Sequence, residues 1–287
     1  MRERTIKALF AAVLLSLTLG IAGCRQQISP PTGNGSASLE DDEQPIAIPG
    51  RRGEVELKAF ENISIHAQTP DIRLVEGSEY KVSYDLHDME KAKRIEVDDG
   101  VLHFTTTVDA AWKPDGKTHE IVVTVPADAK LDKVTLHSVA GNVTLSGRTV
   151  TEASLSSVSG RVEARALTGE TLEVRSVSNE AAAVDCRAEE IVGDSTSGAV
   201  LLRGEFDRVD AHSVSGRCEI SGAVSRKAAA ETVSGDILAA FPVENISAKS
   251  YGSITLDGEK QDRSFRMEGE GPFADLKSTS GKIEIER

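Results

Sequence analysis

The chain has 287 residues, a formal net charge of −13 and only 4% aromatic residues. Apolar residues make up 39% of it, which is enough for a hydrophobic core and too much for a wholly disordered chain. The acidic balance argues against a nucleic-acid partner, because nucleic-acid binding needs clustered positive charge. No stretch of about 20 apolar residues is present, which argues against a polytopic membrane protein.

The first 24 residues predict a lipoprotein signal. Basic residues precede an apolar run over 8–22, and Ile21-Ala22-Gly23-Cys24 resembles the bacterial lipobox. The resemblance implies that residues 1–23 are a signal peptide removed before Cys24 and that the Cys24 thiol carries diacylglycerol. Because Arg25 rather than aspartate follows, it also implies sorting to the outer membrane. The alternative is an ordinary secretory signal with an incidental cysteine.

A flexible linker is predicted for residues 24–50, counted from the lipidated cysteine. The segment is rich in Pro, Gly, Ser and acidic residues and has no apolar period. It would hold the following domain away from the membrane.

A short phrase recurs eight times from residue 137 onward. HSVAGNVTL at 137 returns as SSVSGRVEA at 156 and HSVSGRCEI at 212, and its turn residue recurs every 17–19 residues before a last step of 29. The turn residues are Gly141, Gly160, Asn179, Gly198, Gly216, Gly235, Gly252 and Gly281. Because Gly and Asn tolerate positive φ, the exchange at position 179 predicts a left-handed backbone at this position.

Apolar residues alternate on both sides of each turn residue, which predicts two short strands with a corner between them. A Ser or Thr stands three places before most turn residues, as in Ser138 and Ser157. We expect these hydroxyls to bond the backbone or each other at the bend. The Val that follows, as in Val139 and Val158, is predicted to face inward at the start of the second strand.

A repeat of about 19 residues cannot bury its own apolar face, so it must stack on its neighbours. The sequence therefore predicts an all-β parallel solenoid over 137–287, with 258–273 as a loop leaving the last rungs. Residues 51–136 lack one period and are predicted to form an irregular N-terminal β cap with early rungs. Within them, Thr69-Pro70-Asp71-Ile72 is read as a degenerate first corner, and 89–94 as briefly helical.

The repeated Ser-Val-Ser-Gly-x-Val phrase, the preceding EIVVTVPADAKLDKVTL at 120–136 and the lipobox resemble the bacterial putative-adhesin β-repeat family, a domain of unknown function. The resemblance covers about residues 50–287. It implies a right-handed parallel β-helix and a location in the cell envelope. It brings no catalytic signature.

No catalytic residue, metal site or cofactor is predicted. His137-Ser138 and His212-Ser213 cannot share a proton, since adjacent strand residues point to opposite faces. The histidines show no metal-ligand spacing. Cys186 and Cys218 lie about two rungs apart and are expected to be free thiols. Trp112 is expected to anchor a loop on the cap, with a ligand contact as the alternative.

Two functions from different classes remain. The first is a lipid-anchored surface module of the bacterial envelope, an adhesin or scaffold that binds a protein or glycan through a flat solenoid face. The alternative is a glycan-processing β-helix enzyme with a shallow cleft. That enzyme would need two carboxylates about 5–10 Å apart. Glu163 and Glu219 are predicted to lie three rungs apart in one column, about 14 Å, which is too far.

Overall fold

The computed structural model describes residues 51–88, 90–108 and 116–287. The predicted signal peptide, Cys24, the linker and Trp112 lie outside the described residues. In the described part the fold is all-β, with 22 strands and no helix. Accordingly, this part contains no helix that could cross a membrane.

The strands are short in the N-terminal half and longest in the middle of the repeat region. The first eleven are β1 Arg52–Glu56, β2 Asn62–Ala67, β3 Asp71–Gly77, β4 Lys81–Asp85, β5 Glu90–Asp98, β6 Val101–Val108, β7 Glu120–Pro126, β8 Leu131–Ser138, β9 Val143–Ser146, β10 Val150–Ser157 and β11 Val162–Arg165. The others are β12 Thr168–Ser176, β13 Ala181–Ser195, β14 Val200–Ser213, β15 Cys218–Thr232, β16 Ile237–Ala240, β17 Asn245–Ser250, β18 Ile254–Leu256, β19 Glu259–Gln261, β20 Ser264–Met267, β21 Phe273–Ser278 and β22 Ile283–Glu286.

Equivalent strands of successive repeats stack in parallel, which confirms the predicted β-solenoid. Leu136 pairs with Leu155 before the corner, and Val143 pairs with Val162 after it, so one rung takes 19 residues. We call the strands before the serine corner the first column and those after it the second column. The alternate apolar residues of both columns meet in one core. Strands β13–β15 run without interruption from the second column of one rung into the first column of the next.

The order of rungs in the stack differs from their order in the chain. The first column runs β6, β2, β8, β10, β12, β13, β14, β15, β21, β17. The second column repeats this order, with β22 between β16 and β18. The last rung of the chain, β21–β22, is therefore inserted inside the stack, as is the first rung, β2–β3.

Antiparallel strands cover both ends of the stack. At the N-terminal end β5 pairs with β6 and β4 with β7, and at the other end β19 pairs with β18 and β20 with β17. The helix predicted at 89–94 is wrong over its described residues 90–94, because pairing with β6 draws them into β5. The loop predicted at 258–273 is also wrong, because β19 and β20 close the end of the solenoid there.

Each corner serine joins two rungs, as predicted. Ser157 is 3% exposed, and its Oγ donates to the Gly141 carbonyl of the preceding rung at 2.9 Å and accepts from the Gly160 N–H at 2.9 Å. The degenerate first corner is confirmed too, since Ser138 Oγ donates to the Pro70 carbonyl at 3.0 Å. The same donor–acceptor pattern repeats along the stack at Ser176, Ser195, Ser213, Thr232, Ser278 and Ser250.

Two predictions about the corner are wrong. None of the eight turn residues has positive φ. Close approach explains the glycine instead: a Cβ on Gly160 would lie 2.0 Å from the Gly141 carbonyl oxygen, although Asn179 takes the same place in its own repeat. The valines after the serines do not face inward. Val139 is half-buried and Val233 is 51% exposed, because the bend places these side chains on the outer ridge.

Candidate binding surface

The candidate site is the outer surface of the second column, where alternate side chains of β9, β11, β13, β14, β15 and β16 point away from the core. Most of this surface is polar, but Leu201 and Leu238 interrupt it as half-buried apolar side chains. The register places Leu201 between Ala182 and Glu219, and Leu238 beside Glu219. These two leucines, one on each side of the Glu219 carboxylate, form the centre of the candidate site.

Arginines surround that centre, and each is about half exposed. Arg161 Nη2 lies 2.7 Å from Glu180 Oε1, and Arg217 Nη2 lies 3.4 Å from Glu219 Oε2. Arg203 extends towards the same carboxylate of Glu219, at 4.0 Å. Exposed ion pairs of this kind add about 0–1 kcal/mol of stability each, so their main effect is to set a pattern of charge. We call this surface, centred on Leu201 and Leu238, the second-column patch.

The outer surface of the first column is different. The ladder just before the corner serines reads His66, His137, Ser156, Arg175, Asp194, His212 and Glu231 in stacking order. Arg175 Nε donates to Asp194 Oδ2 at 2.8 Å, and Lys133 Nζ donates to Glu152 Oε2 at 2.8 Å. Val192 is the half-buried apolar residue in this part of the face, between Glu173 and Asp210.

The structure places His137 and Ser138, and likewise His212 and Ser213, on opposite faces of the strand, as predicted. Ser138 and Ser213 are buried and occupied by the corner backbone, whereas His137 and His212 lie on the outer face. The histidine that does contact a serine is His137, whose Nδ1 lies 2.9 Å from Ser156 Oγ of the next rung. Sequence reasoning missed this contact because the two residues are a whole rung apart.

The carboxylates named for the enzyme alternative remain far apart. Ala182 and Leu201 stand between Glu163 and Glu219 in the register, so three strand spacings separate the two glutamates. Two depressions of the described surface are shallow, with volumes of about 500 Å³ and 560 Å³. The larger depression lies along 127–131 and 149–151, at the turns that lead from the second column of one rung to the first column of the next. The other lies beside Pro242, Asp257 and Arg287.

Cys186 and Cys218 are both buried free thiols, which confirms the prediction. Cys218 lies in the core between Val200 and Ile237, and burial, with the nearby charge of Asp194, raises its pKa to about 12. Burial also raises the pKa of Cys186. Neither thiol is suited to nucleophilic chemistry at neutral pH, because the thiolate is the reactive form.

Two polar side chains that the sequence analysis missed close the N-terminal end of the stack. Glu90 is 3% exposed and accepts from the Gln68 N–H at 3.2 Å and from the hydroxyls of Thr69 and Thr106. Arg148 is 8% exposed and donates to the carbonyls of Pro126, at 3.0 Å, and Ala127, at 3.3 Å. Both take up backbone groups or hydroxyls that have no further rung beside them, so we assign them structural roles.

Comparisons with known proteins agree with this architecture. A crystal structure described as a putative adhesin from Bacteroides fragilis is 15% identical, with a TM-score of 0.54 over 86% of this chain and all of that one. A putative lipid binding protein from Parabacteroides distasonis is 17% identical over 82% of this chain and 96% of its own, with a TM-score of 0.49. At these identities the likeness concerns the fold alone. A search of the curated proteins found no match.

The family comparison is decisive for classification. The family model described as Toastrack DUF4097 matches residues 60–286, which include every rung of the solenoid. It confirms the predicted membership of a bacterial adhesin-like repeat family of unknown function. The chain belongs to the Toastrack DUF4097 family.

Proposed function

We propose that this protein is a non-enzymatic adhesion or scaffolding module of the bacterial cell envelope, and that it binds a protein or a glycan through the second-column patch. The observation that carries the proposal is the patch itself: Leu201 and Leu238 lie on either side of Glu219, and half-exposed arginines paired with glutamates surround them. Apolar centres with charged rims, and arginine in particular, are typical of protein recognition surfaces.

The solenoid suits such a role because it is a regular, hydrogen-bonded scaffold. Rungs stack about 4.8 Å apart, so side chains at equivalent positions form straight ladders across a nearly flat face. A ligand can contact several rungs at once, and many modest contacts then replace a deep pocket. The Bacteroides fragilis protein with the same fold is described as a putative adhesin, which is consistent with this general role.

We further propose that the protein is attached to the outer membrane through lipid on Cys24. The proposal rests on the lipobox-like sequence at 21–24 and on the Pro- and Gly-rich segment that follows it. Several acyl chains bind a membrane almost permanently, so the acidic surface would not need to attract anionic headgroups. Replacement of Cys24 by Ser is expected to release the protein from the membrane fraction.

The binding proposal is tested with two matched variants. Leu201→Lys places a charge in the centre of the second-column patch, and Val192→Lys places the same charge on the outer face of the first column. The purified full-length protein in detergent is applied to an array of bacterial envelope glycans and to immobilised envelope proteins, and retention and released sugars are measured. We expect saturable retention that falls at least about tenfold in Leu201→Lys and stays unchanged in Val192→Lys.

Each other outcome contradicts part of the proposal. If both variants were retained as strongly as the unchanged protein, the second-column patch would be ruled out as the binding site. Sugars released catalytically would favour the glycan-processing enzyme. No retention on either surface would contradict the adhesion role itself.

A further inference from the structure

A pair of histidines lies in register on the outer surface of the first column, apart from the second-column patch. His66 of β2 is directly opposite His137 of β8 on neighbouring parallel strands. Their ring centroids are 5.9 Å apart, and the ring planes are inclined by 45°. Both side chains point outward, because Ile65 and Leu136 beside them are fully buried.

The surroundings of this pair favour neutral imidazoles. Burial is the main cause that lowers the pKa of both rings: the His66 ring remains accessible, but neighbouring strands remove part of its hydration. Repulsion adds to this, from His103 on His66 and from His66 on His137. The nearest positions in register are uncharged: Ser64, Thr105, Thr135 and Ser156. Further along the face, Glu152 is paired with Lys133.

Ser156 orients one of the rings. Its Oγ lies 2.9 Å from Nδ1 of His137. When that nitrogen carries the proton and donates to the hydroxyl, the lone pair of the imidazole is on Nε2. Histidines that bind metals are typically held in this way, with the second ring nitrogen donating to a neighbouring oxygen. In that tautomer the contact orients the ring and leaves Nε2 available to a metal ion.

We propose that His66 and His137 together bind a first-row divalent ion of the Zn²⁺ or Cu²⁺ type, with the remaining coordination positions open to water or to a donor from a partner. Imidazole nitrogen is a preferred ligand of these ions. With metal–nitrogen distances of about 2.0 Å, the two ring centroids would lie roughly 5 Å apart. A small rotation of the accessible His66 ring would shorten the distance between the two ring centroids from 5.9 Å to this value.

The site holds two protein ligands only. In the described ranges, no group of three or more His, Cys, Asp or Glu side chains is placed to hold a metal ion. The exposed, incompletely coordinated ion would resemble open sites that exchange ligands rather than closed structural zinc sites. Such a site could join the solenoid to an imidazole or carboxylate of another molecule.

The proposal is tested on the full-length protein with the metal ions alone. Zn²⁺ binding is measured by calorimetry, and Cu²⁺ binding by electron paramagnetic resonance, in the unchanged protein and in His66→Ala, His137→Ala and the double variant. His212→Ala is the matched control, because His212 lies in the same ladder but between Asp194 and Glu231. A parallel titration with Ca²⁺ serves as the control for non-specific binding of cations to the acidic surface.

We expect one Zn²⁺ equivalent and a nitrogen-coordinated Cu²⁺ signal, both lost in each single variant and kept in His212→Ala. Ser156→Ala should weaken binding by about tenfold, as expected for the loss of an orienting contact. Binding should also weaken as the pH falls and the imidazoles become protonated. Unchanged circular dichroism shows that the variants are folded. Equal Zn²⁺ binding by the double variant, or loss in His212→Ala, would overturn the proposal.

Discussion

At the scale of single residues, the corner serine and the turn residue form one unit. The serine hydroxyl satisfies a carbonyl of the rung before and an N–H of its own corner, as Ser157 does for Gly141 and Gly160. The absence of a side chain on the glycine lets the two rungs approach closely. Both features explain why the serine and the turn glycine recur through most of the repeats.

Replacing Ser157 with Ala should destabilise the protein by about 1–3 kcal/mol, because a buried carbonyl and a buried N–H lose their partner. Ser159 lies two residues further along and is exposed, so Ser159→Ala is the matched control and should change the free energy of unfolding by less than about 0.5 kcal/mol. Urea unfolding of both variants measures the difference. Equal stability of the two variants would refute the role given to the hydroxyl.

Each rung has a second corner, between its second column and the first column of the next rung, and positive φ occurs there rather than at the serine corner. Gly147, Ala166 and Asp185 have φ of 65°, 50° and 57° and lie at the turn that leads into the next rung. This ladder escaped the sequence analysis because glycine is replaced by Ala166 and Asp185. Side chains rarely adopt this conformation, so the second corner carries some backbone strain.

At the scale of elements, the two end rungs of the solenoid differ from the others because each has a neighbouring rung on one side only. An uncovered rung would expose a row of unpaired backbone groups. The antiparallel strands β5 and β20 cover these edges. Glu90 completes the cover at the first corner, where the Gln68 N–H, the Thr69 hydroxyl and the Thr106 hydroxyl reach no further rung.

Removal of the Glu90 carboxylate should therefore loosen the N-terminal end. Glu90→Ala is expected to cost about 1–3 kcal/mol, since the buried Thr106 hydroxyl and the half-buried Thr69 hydroxyl lose their acceptor, whereas the Gln68 N–H keeps Thr106 Oγ1 at 3.0 Å. Glu90→Gln keeps one acceptor oxygen and should cost less. Hydrogen exchange of β5 and β6 should accelerate before that of β13 and β14 in the middle of the stack. Uniform exchange along the solenoid would show that Glu90 has no special part in the cap.

At the scale of the whole molecule, the stack is closed by inserting its terminal rungs. The chain reaches the far end with β17–β18, turns through β19 and β20, and returns to place β21–β22 one rung inward. Leu276 and Ile283 of the inserted rung are fully buried. The C-terminal residues are thus part of the continuous core rather than a dispensable last repeat.

Deletion of residues 272–287 should consequently disrupt the end rung as well. Without β21–β22, β17 and β18 lose their parallel partners, and several fully buried Leu and Ile side chains worth about 1.5–3 kcal/mol each are removed. We expect loss of amide protection over 245–256, while β8–β12 stay protected. The matched control is Glu286→Ala, an exposed change at the end of β22 that keeps Arg287 and its hydrogen bonds to Asp257. Continued protection of 245–256 in the longer deletion would contradict the rung order described here.

The sequence by itself determined the all-β solenoid, the rung of 19 residues, the serine corner and the family, because these depend on a local phrase that repeats. The tertiary structure alone decided the rung order, the end caps and the neighbours on the outer faces. His66 and His137 are 71 positions apart in the chain and become neighbours only through the insertion of β2 beside β8. Parallel stacking makes every rung a suitable neighbour for every other, so local pattern cannot specify their order; end closure and core packing do.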